Sequence, residues 1–175
     1  MILWTRMAEN NAWANRTLYD AMAPLDAAAF TAARPGFFPS LSLTMNHIHA
    51  VDLYYIDAVE EAGLGRGVYE REDVTDVAQL ATLQAEADAR LIAFCAALTP
   101  ERLTRRVTTV RPHDPGVTER VDMLLLHLFQ HQVHHRGQAH VQLQDAGIAP
   151  PQLDEFFLDD DRAETARVYW PEVKS

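Results

Sequence analysis

The sequence has little cysteine and little glycine, and both shortages restrict the kind of protein it encodes. Its 175 residues include one cysteine, Cys95, so an intrachain disulfide is excluded and a reducing compartment is expected. Cys95 lies in the helical pattern LIAFCAAL, where apolar surroundings raise the pKa of a thiol, so we expect an inert core residue. Seven glycines beside abundant alanine and leucine favour helices over sheets.

Positive charge and long apolar runs are also scarce. Fifteen lysines and arginines stand against 25 acidic residues, giving a net charge of −10. This charge repels phosphate backbones, so nucleic acid is not an expected partner. No segment approaches the ~18–20 apolar residues of a membrane span. The opening MIL is followed by Arg6 and Glu9 and is too short for a signal peptide, so we expect a cytoplasmic protein without membrane contact.

Apolar residues that recur every three or four positions predict four long helices. We interpret them as an all-α four-helix bundle forming a single domain over residues 1–175. The expected bounds are about Trp4 to Met22, Ser40 as N-cap to Gly63, Thr75 or Asp76 as N-cap to about Leu98, and Thr118 or Glu119 to about Ala146.

Two shorter features accompany the helices. Alternating Val107, Thr109 and Arg111, followed by the turn sequence PHDPG, predict a short β-hairpin between the third and fourth helices. After the fourth helix, we expect Phe156 and Phe157 to dock against the helices.

The stretch HLFQHQVHHRGQ, residues 127–138, holds four of the eight histidines. A helix turns about 100° per residue, so residues four apart share a face. His127, His131 and His135 therefore form one line, and His134 lies about 60° from His131. Such a line is compatible with packed imidazoles or with a metal site.

Two imidazoles four residues apart can bind one metal, as in the HExxH helix of zinc proteases. Gln132 replaces the glutamate of that motif, so a zinc protease is excluded. A catalytic metal site needs a third protein ligand, and MNHIHAVD on the second helix offers His47 or His49. These point to different sides, so at most one should face the core, and His47 shares a face with Val51 and Tyr54.

Arg136 has two interpretations. It could bind a carboxylate of a substrate, or it could pair with Asp52, Asp154 or Glu155 and fasten the tail. The structural role is our preferred interpretation.

Three further side chains are candidates for supporting the site or contacting a substrate. Gln138 follows His135 by three residues and could hydrogen-bond to a ligand histidine. Tyr54 could place a phenol near a metal, although packing is the preferred interpretation. Asp52 could accept a hydrogen bond from a ligand histidine, but it lies off the direct face of His47.

Three segments resemble the DinB/YfiT-like family of metal-dependent enzymes: NAWANRTLYDAM, SLSLTMNHIHAVDLYY and HLFQHQVHHRGQAHVQLQDAGIAPPQLDEFF. The resemblance covers nearly the whole chain. It implies an up-down-down-up four-helix bundle with a metal centre of three histidines, here His47, His131 and His135. His127 and His134 then become supporting or packing residues. Nickel or zinc is the implied metal, with water completing its coordination.

The family is named after damage-inducible genes and is unrelated to the DNA polymerase that shares the name. Relatives in its wider superfamily use low-molecular-weight thiols; they include bacillithiol transferases and a mycothiol-dependent maleylpyruvate isomerase. The resemblance therefore implies a divalent-metal-dependent enzyme that is a thiol-dependent S-transferase or a hydrolase, with an unknown small-molecule substrate. Two alternatives remain: a non-catalytic metal-binding bundle for sensing or storage, and a structural homodimer without metal.

Overall fold

The computed structural model describes residues 2–111 and 114–154. This part of the chain is mostly helical with one short antiparallel sheet, in agreement with the expected helical class. The long helices are α1 (Ile2–Met22), α3 (Leu41–Glu60), α4 (Val77–Ala96) and α6 (Val121–Asp145), and the short ones are α2 (Ala27–Thr31), α5 (Pro100–Thr104) and a 3₁₀ helix (Gly65–Tyr69). The sequence patterns did not predict the three short helices.

Side-chain caps begin two of the long helices where the sequence predicts them. The Ser40 hydroxyl accepts a hydrogen bond from the Leu43 backbone N–H at 3.1 Å, so Ser40 is the N-cap of α3. At α4 the cap is Asp76, whose carboxylate accepts from the Gln79 N–H at 2.7 Å. Each cap satisfies a backbone donor that the first helical turn leaves free.

The end of α3 differs from the prediction. The helix stops at Glu60, and Glu61 takes the left-handed backbone conformation with φ 56°. The sequence predicts that the helix ends at Gly63, because glycine adopts this left-handed conformation without steric cost. Gly63 also has a positive φ, of 87°, but lies in the connection beyond the helix.

The predicted hairpin is confirmed and delays the start of the last helix. Strand β1 (Arg106–Arg111) pairs with β2 (Asp114–Arg120). Thr118 lies opposite Thr108 and Glu119 opposite Val107, so both proposed caps of the last helix belong to the sheet. Helix α6 therefore begins at Val121.

The long helices bury two apolar clusters with a polar layer between them. Helix α1 packs against α4 and α6, and α3 packs against the same two helices. The clusters are centred on Leu91, Leu125 and Leu128 at one end and on Leu18, Met45 and Leu143 at the other. Burial of each such side chain contributes about 1.5–3 kcal/mol. The buried polar layer consists of Asn11, Asn15, Asp52, Gln84, Asp88, Gln132 and Arg136.

Other expectations concern Cys95, the membrane and the tail. Cys95 is fully buried, and burial raises its pKa to about 12, which agrees with an inert core thiol. Among the described helices, none is long and apolar enough to cross a bilayer. The expected docking of Phe156 and Phe157 lies outside the described residues.

Candidate metal centre

Helix α6 places the predicted line of histidines one turn apart. The ring centroids of His131 and His135 are 4.3 Å apart, and those of His127 and His131 are 6.2 Å apart. His135 is buried, His131 is half-buried and His127 is exposed. The line therefore runs from solvent into the groove between α3 and α6.

Helix α3 adds His47 to this line. Its Nε2 lies 3.0 Å from Nε2 of His131. The His47 ring centroid is 4.9 Å from that of His131 and 4.5 Å from that of His135. One nitrogen from each of these residues lies within 4.8 Å of the other two. We call His47, His131 and His135 the three-histidine cluster.

Burial favours the neutral form of the cluster. Burial first, and the neighbouring imidazoles second, lower the pKa of His47 to about 4 and that of His131 to about 3. The pKa of His135 is also lowered, mainly by burial. Neutral imidazoles keep a lone pair on one ring nitrogen, and this is the form that binds metal ions.

Gln138 connects the cluster to His134. Nδ1 of His135 is 2.9 Å from Oε1 of Gln138, an amide oxygen that can only accept, so Nδ1–H donates. This tautomer leaves the Nε2 lone pair of His135 for a metal. The Gln138 Nε2 lies 3.0 Å from Nε2 of His134 and donates to it. Gln138 thus contacts His135, as its spacing predicted, and His134 sits beside the cluster on the exposed side.

The geometry of the cluster fits a metal ion. Two imidazole nitrogens bound at about 2.0–2.1 Å to one metal lie about 2.9–3.4 Å apart, depending on coordination geometry. The 3.0 Å between His47 and His131 falls in this range. Nδ1 of His131 is buried without a hydrogen-bond partner, so the remaining ring nitrogen, Nε2, carries its polar contact. Three imidazoles are a donor set that zinc and nickel accept.

Phe38 is a residue of the site that the sequence analysis missed. Its ring centroid is 4.4 Å from that of His47 and 5.6 Å from that of His135. The segment RPGFFPS, residues 34–40, precedes α3 and was not expected to contribute to the site. Two aromatic residues between prolines, a few positions before a helix with a candidate ligand, were the available signal.

Tyr54 contacts the hairpin. Its hydroxyl donates to the backbone oxygen of Val110 at 2.7 Å and so ties α3 to the hairpin. This contact agrees with the preferred packing role. Tyr55 instead lies beside His127, with ring centroids 5.1 Å apart. The aromatic neighbour at this end of the histidine line is therefore Tyr55.

Arg136 and Asp52 belong to the buried polar layer. Nη1 of Arg136 donates to side-chain oxygens of Asn11, Asn15 and Gln132 at 2.6–3.1 Å. These three contacts hold Arg136 inside the bundle, and the charges of Asp52 and Asp88 also act on it. The expected pairing with Glu155 lies outside the described residues. Asp52 accepts from Gln84 at 2.8 Å through one carboxylate oxygen, and this bond joins α3 to α4 within the polar layer.

His49 is the more buried of the two histidines of α3. It is 2% exposed, whereas His47 is half-buried. Burial lowers the pKa of His49 to about 4. The two histidines have separate surroundings: His47 lies in the groove with α6, and His49 lies near Gln84 of the polar layer.

Comparisons with known proteins agree with this fold. The family model described as "DinB family" matches residues 2–166. Protein DinB of Bacillus subtilis (strain 168) is 23% identical over 155 residues, covering 85% of this chain and 89% of that protein. A DinB-like protein from Bacillus cereus ATCC 10987 is structurally similar, with a TM-score of 0.65 and 17% identity over 82% of this chain and 91% of that one. A DinB-like protein from B. subtilis gives a TM-score of 0.61 and 16% identity, covering 83% and 92%. The chain belongs to the DinB family.

Proposed function

We propose that the chain is a divalent-metal-dependent enzyme in which His47, His131 and His135 hold zinc or nickel. The observation that carries this proposal is the 3.0 Å separation of His47 Nε2 and His131 Nε2, two residues on different helices. His135 supplies the third imidazole, and its hydrogen bond to Gln138 leaves Nε2 free to bind. Three protein ligands leave a coordination position for another molecule.

The residues around the cluster have distinct tasks in this proposal. A divalent ion held by neutral imidazoles lowers the pKa of a bound thiol or water and so favours nucleophilic attack near neutral pH. Gln138 holds the His135 ring in one tautomer, and Phe38 covers the side of His47. The exposed His127 ring, beside Tyr55, is the part of the line that a substrate can reach. We infer an S-transferase that uses a low-molecular-weight thiol, or a hydrolase.

We further propose that the chain folds as one up-down-down-up bundle of α1, α3, α4 and α6. In this topology α3 runs antiparallel to α6 and parallel to α4, while α1 runs parallel to α6. The supporting contacts are His47 with His131, Tyr55 with His127, Asp52 with Gln84, Glu60 with Arg90, Trp4 with Phe129, and Asn11 with Arg136.

Elemental analysis tests the metal site. Wild-type protein, purified without chelator or an affinity tag that binds metal, should carry about one zinc or nickel per chain. His131→Ala should lose most of this metal, because it removes the central donor of the cluster. The matched control is His140→Ala, a histidine of the same helix outside the cluster, which should keep it. Wild-type protein that takes up no metal even after incubation with zinc or nickel salts would refute the proposal.

A thiol panel tests the reaction. Metal-loaded protein is incubated with low-molecular-weight thiols and electrophiles, and with ester and amide substrates without thiol. Turnover that needs a thiol and disappears in His131→Ala supports the transferase, whereas turnover without thiol supports the hydrolase. Stoichiometric metal without turnover in either assay favours the alternative of a non-catalytic metal-binding protein.

A further inference from the structure

The segment from Arg34 to Pro39, which we call the strap, crosses from α2 to α3 next to the three-histidine cluster. Its two ends are joined by a hydrogen bond from the Arg34 N–H to the Pro39 oxygen at 2.9 Å. Within it, Gly36 has φ 154°, a backbone conformation that residues with a side chain rarely adopt. A Cβ atom on Gly36 would lie 3.0 Å from Nε2 of Gln142. The strap is therefore closely fitted to α6.

Two side-chain contacts fasten the strap to the last turns of α6. The Gln142 amide donates to the Phe38 backbone oxygen at 2.6 Å. The Gln142 carbonyl in turn accepts from the Thr44 hydroxyl at 2.8 Å, so the amide is held at both ends. Arg34 forms an ion pair with Asp145 at 3.2 Å. The backbone of Phe38 is thus fixed by a buried residue of the helix that carries two of the cluster histidines.

The two neighbouring phenylalanines of the strap, Phe37 and Phe38, have different surroundings. The ring of Phe38 is half-buried and lies against His47 and His135, with centroid distances of 4.4 and 5.6 Å. Phe37 is 78% exposed and meets only the edge of the Phe38 ring among the ring contacts described, with centroids 4.9 Å apart. Phe38 therefore has a specific place beside the cluster, and Phe37 provides a matched residue on the same strap.

We propose that Phe38 is a positioning residue of the metal site: it forms an apolar wall that holds the His47 and His135 rings and keeps water from that side of the metal. This inference rests on the proposed function. Apolar surroundings control how solvent reaches a metal, and residues that support its ligands commonly change metal affinity by about 10–100-fold. The wall would act on retention of the metal, because water or a chelator must reach the metal to replace an imidazole, and the Phe38 ring would block that approach from its side.

The experiment compares Phe38→Ala, Phe38→Leu and Phe37→Ala with wild type. Each protein is loaded with zinc, and metal release to excess colorimetric chelator is followed in time. Phe38→Ala should release zinc at least about tenfold faster than wild type. Phe38→Leu, which keeps an apolar side chain, should recover much of the slow release. Phe37→Ala should match wild type, because that ring does not cover the histidines.

Two spectroscopic readouts separate positioning from general destabilisation. In the metal-free proteins, proton NMR should show altered shifts of the His47 and His135 ring protons when the Phe38 ring is removed. In the cobalt-substituted proteins, the visible absorption spectrum should change in Phe38→Ala and stay unchanged in Phe37→Ala. If Phe38→Ala proves loosely folded, Phe38→Leu decides the question. In that variant the NMR chemical shifts of the His47 and His135 ring protons must still differ from those of wild type.

The outcomes distinguish this inference from the proposed function. If wild type binds zinc but Phe38→Ala releases it at the wild-type rate with an unchanged cobalt spectrum, Phe38 has no positioning role and the metal site stands. Equal acceleration in Phe37→Ala and Phe38→Ala would also overturn the inference, because the effect would then belong to the strap as a whole. Wild-type protein that binds neither zinc nor cobalt refutes the proposed function and this inference with it.

Discussion

The free energy of unfolding of wild-type protein should fall as the pH rises from 5 to 7, and replacement of Asp52 by asparagine should remove much of this fall. Asp52 is 1% exposed and lies in the buried polar layer. Burial raises its pKa from 3.8 to about 7, and the charge of Asp88 contributes to the rise. Arg136 lowers that pKa only partly, because its Nη1 donates to neutral amide oxygens.

The magnitude follows from the two pKa values. An acid with a higher pKa in the folded chain keeps its proton longer there, so its stabilising contribution is complete below pH 3.8 and is lost as the pH rises towards 7. One pKa unit corresponds to about 1.4 kcal/mol. Between pH 5 and pH 7, this carboxyl alone should lower the free energy of unfolding by about 2 kcal/mol. Asparagine does not ionise, so Asp52→Asn should gain about 2 kcal/mol relative to wild type over that interval.

Urea unfolding followed by circular dichroism at pH 5, 6 and 7 measures this difference. Metal-free protein is used, so that ligand protonation does not enter through metal binding. The histidines titrate in both proteins and largely cancel in the comparison. The side-chain oxygen of asparagine can still accept from Gln84, which donates to Asp52 at 2.8 Å. The substitution therefore changes the charge with little change in shape.

Asp122→Asn is a control with the opposite sign. The hydrogen bond and charge of Arg120 lower the pKa of Asp122, so its contribution is present above its unfolded pKa and is lost as the pH falls through its folded pKa. Asp122→Asn should therefore be less stable than wild type at pH 7, and this deficit should shrink in acid. Parallel stability curves for wild type and Asp52→Asn from pH 5 to 7 would refute the reasoning about the buried polar layer.

Three further predictions concern the residue that hydrogen-bonds to His135, a helix cap and the thiol. Gln138→Ala should weaken zinc binding about 10–100-fold in a competition titration, because it removes the hydrogen-bond acceptor of His135 Nδ1. The control Gln144→Ala, at an exposed position of the same helix, should leave the zinc affinity unchanged. Ser40→Ala should cost about 1 kcal/mol in urea unfolding and Ser40→Gly only a few tenths; equal losses would contradict the capping role. Cys95 should react with an aromatic disulfide reagent only in denaturant, because it is fully buried with a pKa of about 12, and rapid reaction of the native protein would contradict this.

Much of the candidate site follows from local sequence. The spacing of His131 and His135 puts both rings on one face of any helix, whatever the helix packs against. Ser40 and Asp76 begin their helices because their side chains satisfy backbone donors three residues ahead. The same local reasoning identified Gln138 beside His135. These features needed no knowledge of the rest of the fold.

Packing between distant segments decided the rest. His47 meets His131 across 84 residues of chain, and helical spacing alone could not choose its inward side over that of His49, which proved the more buried. Phe38 lies beside the cluster on a strap that Gln142 joins to α6, a contact over 104 residues. The sequence alone determined which histidines share a helix face. Only tertiary structure decided what faces them, because burial and long-range hydrogen bonds depend on how the helices pack and outweigh local preference.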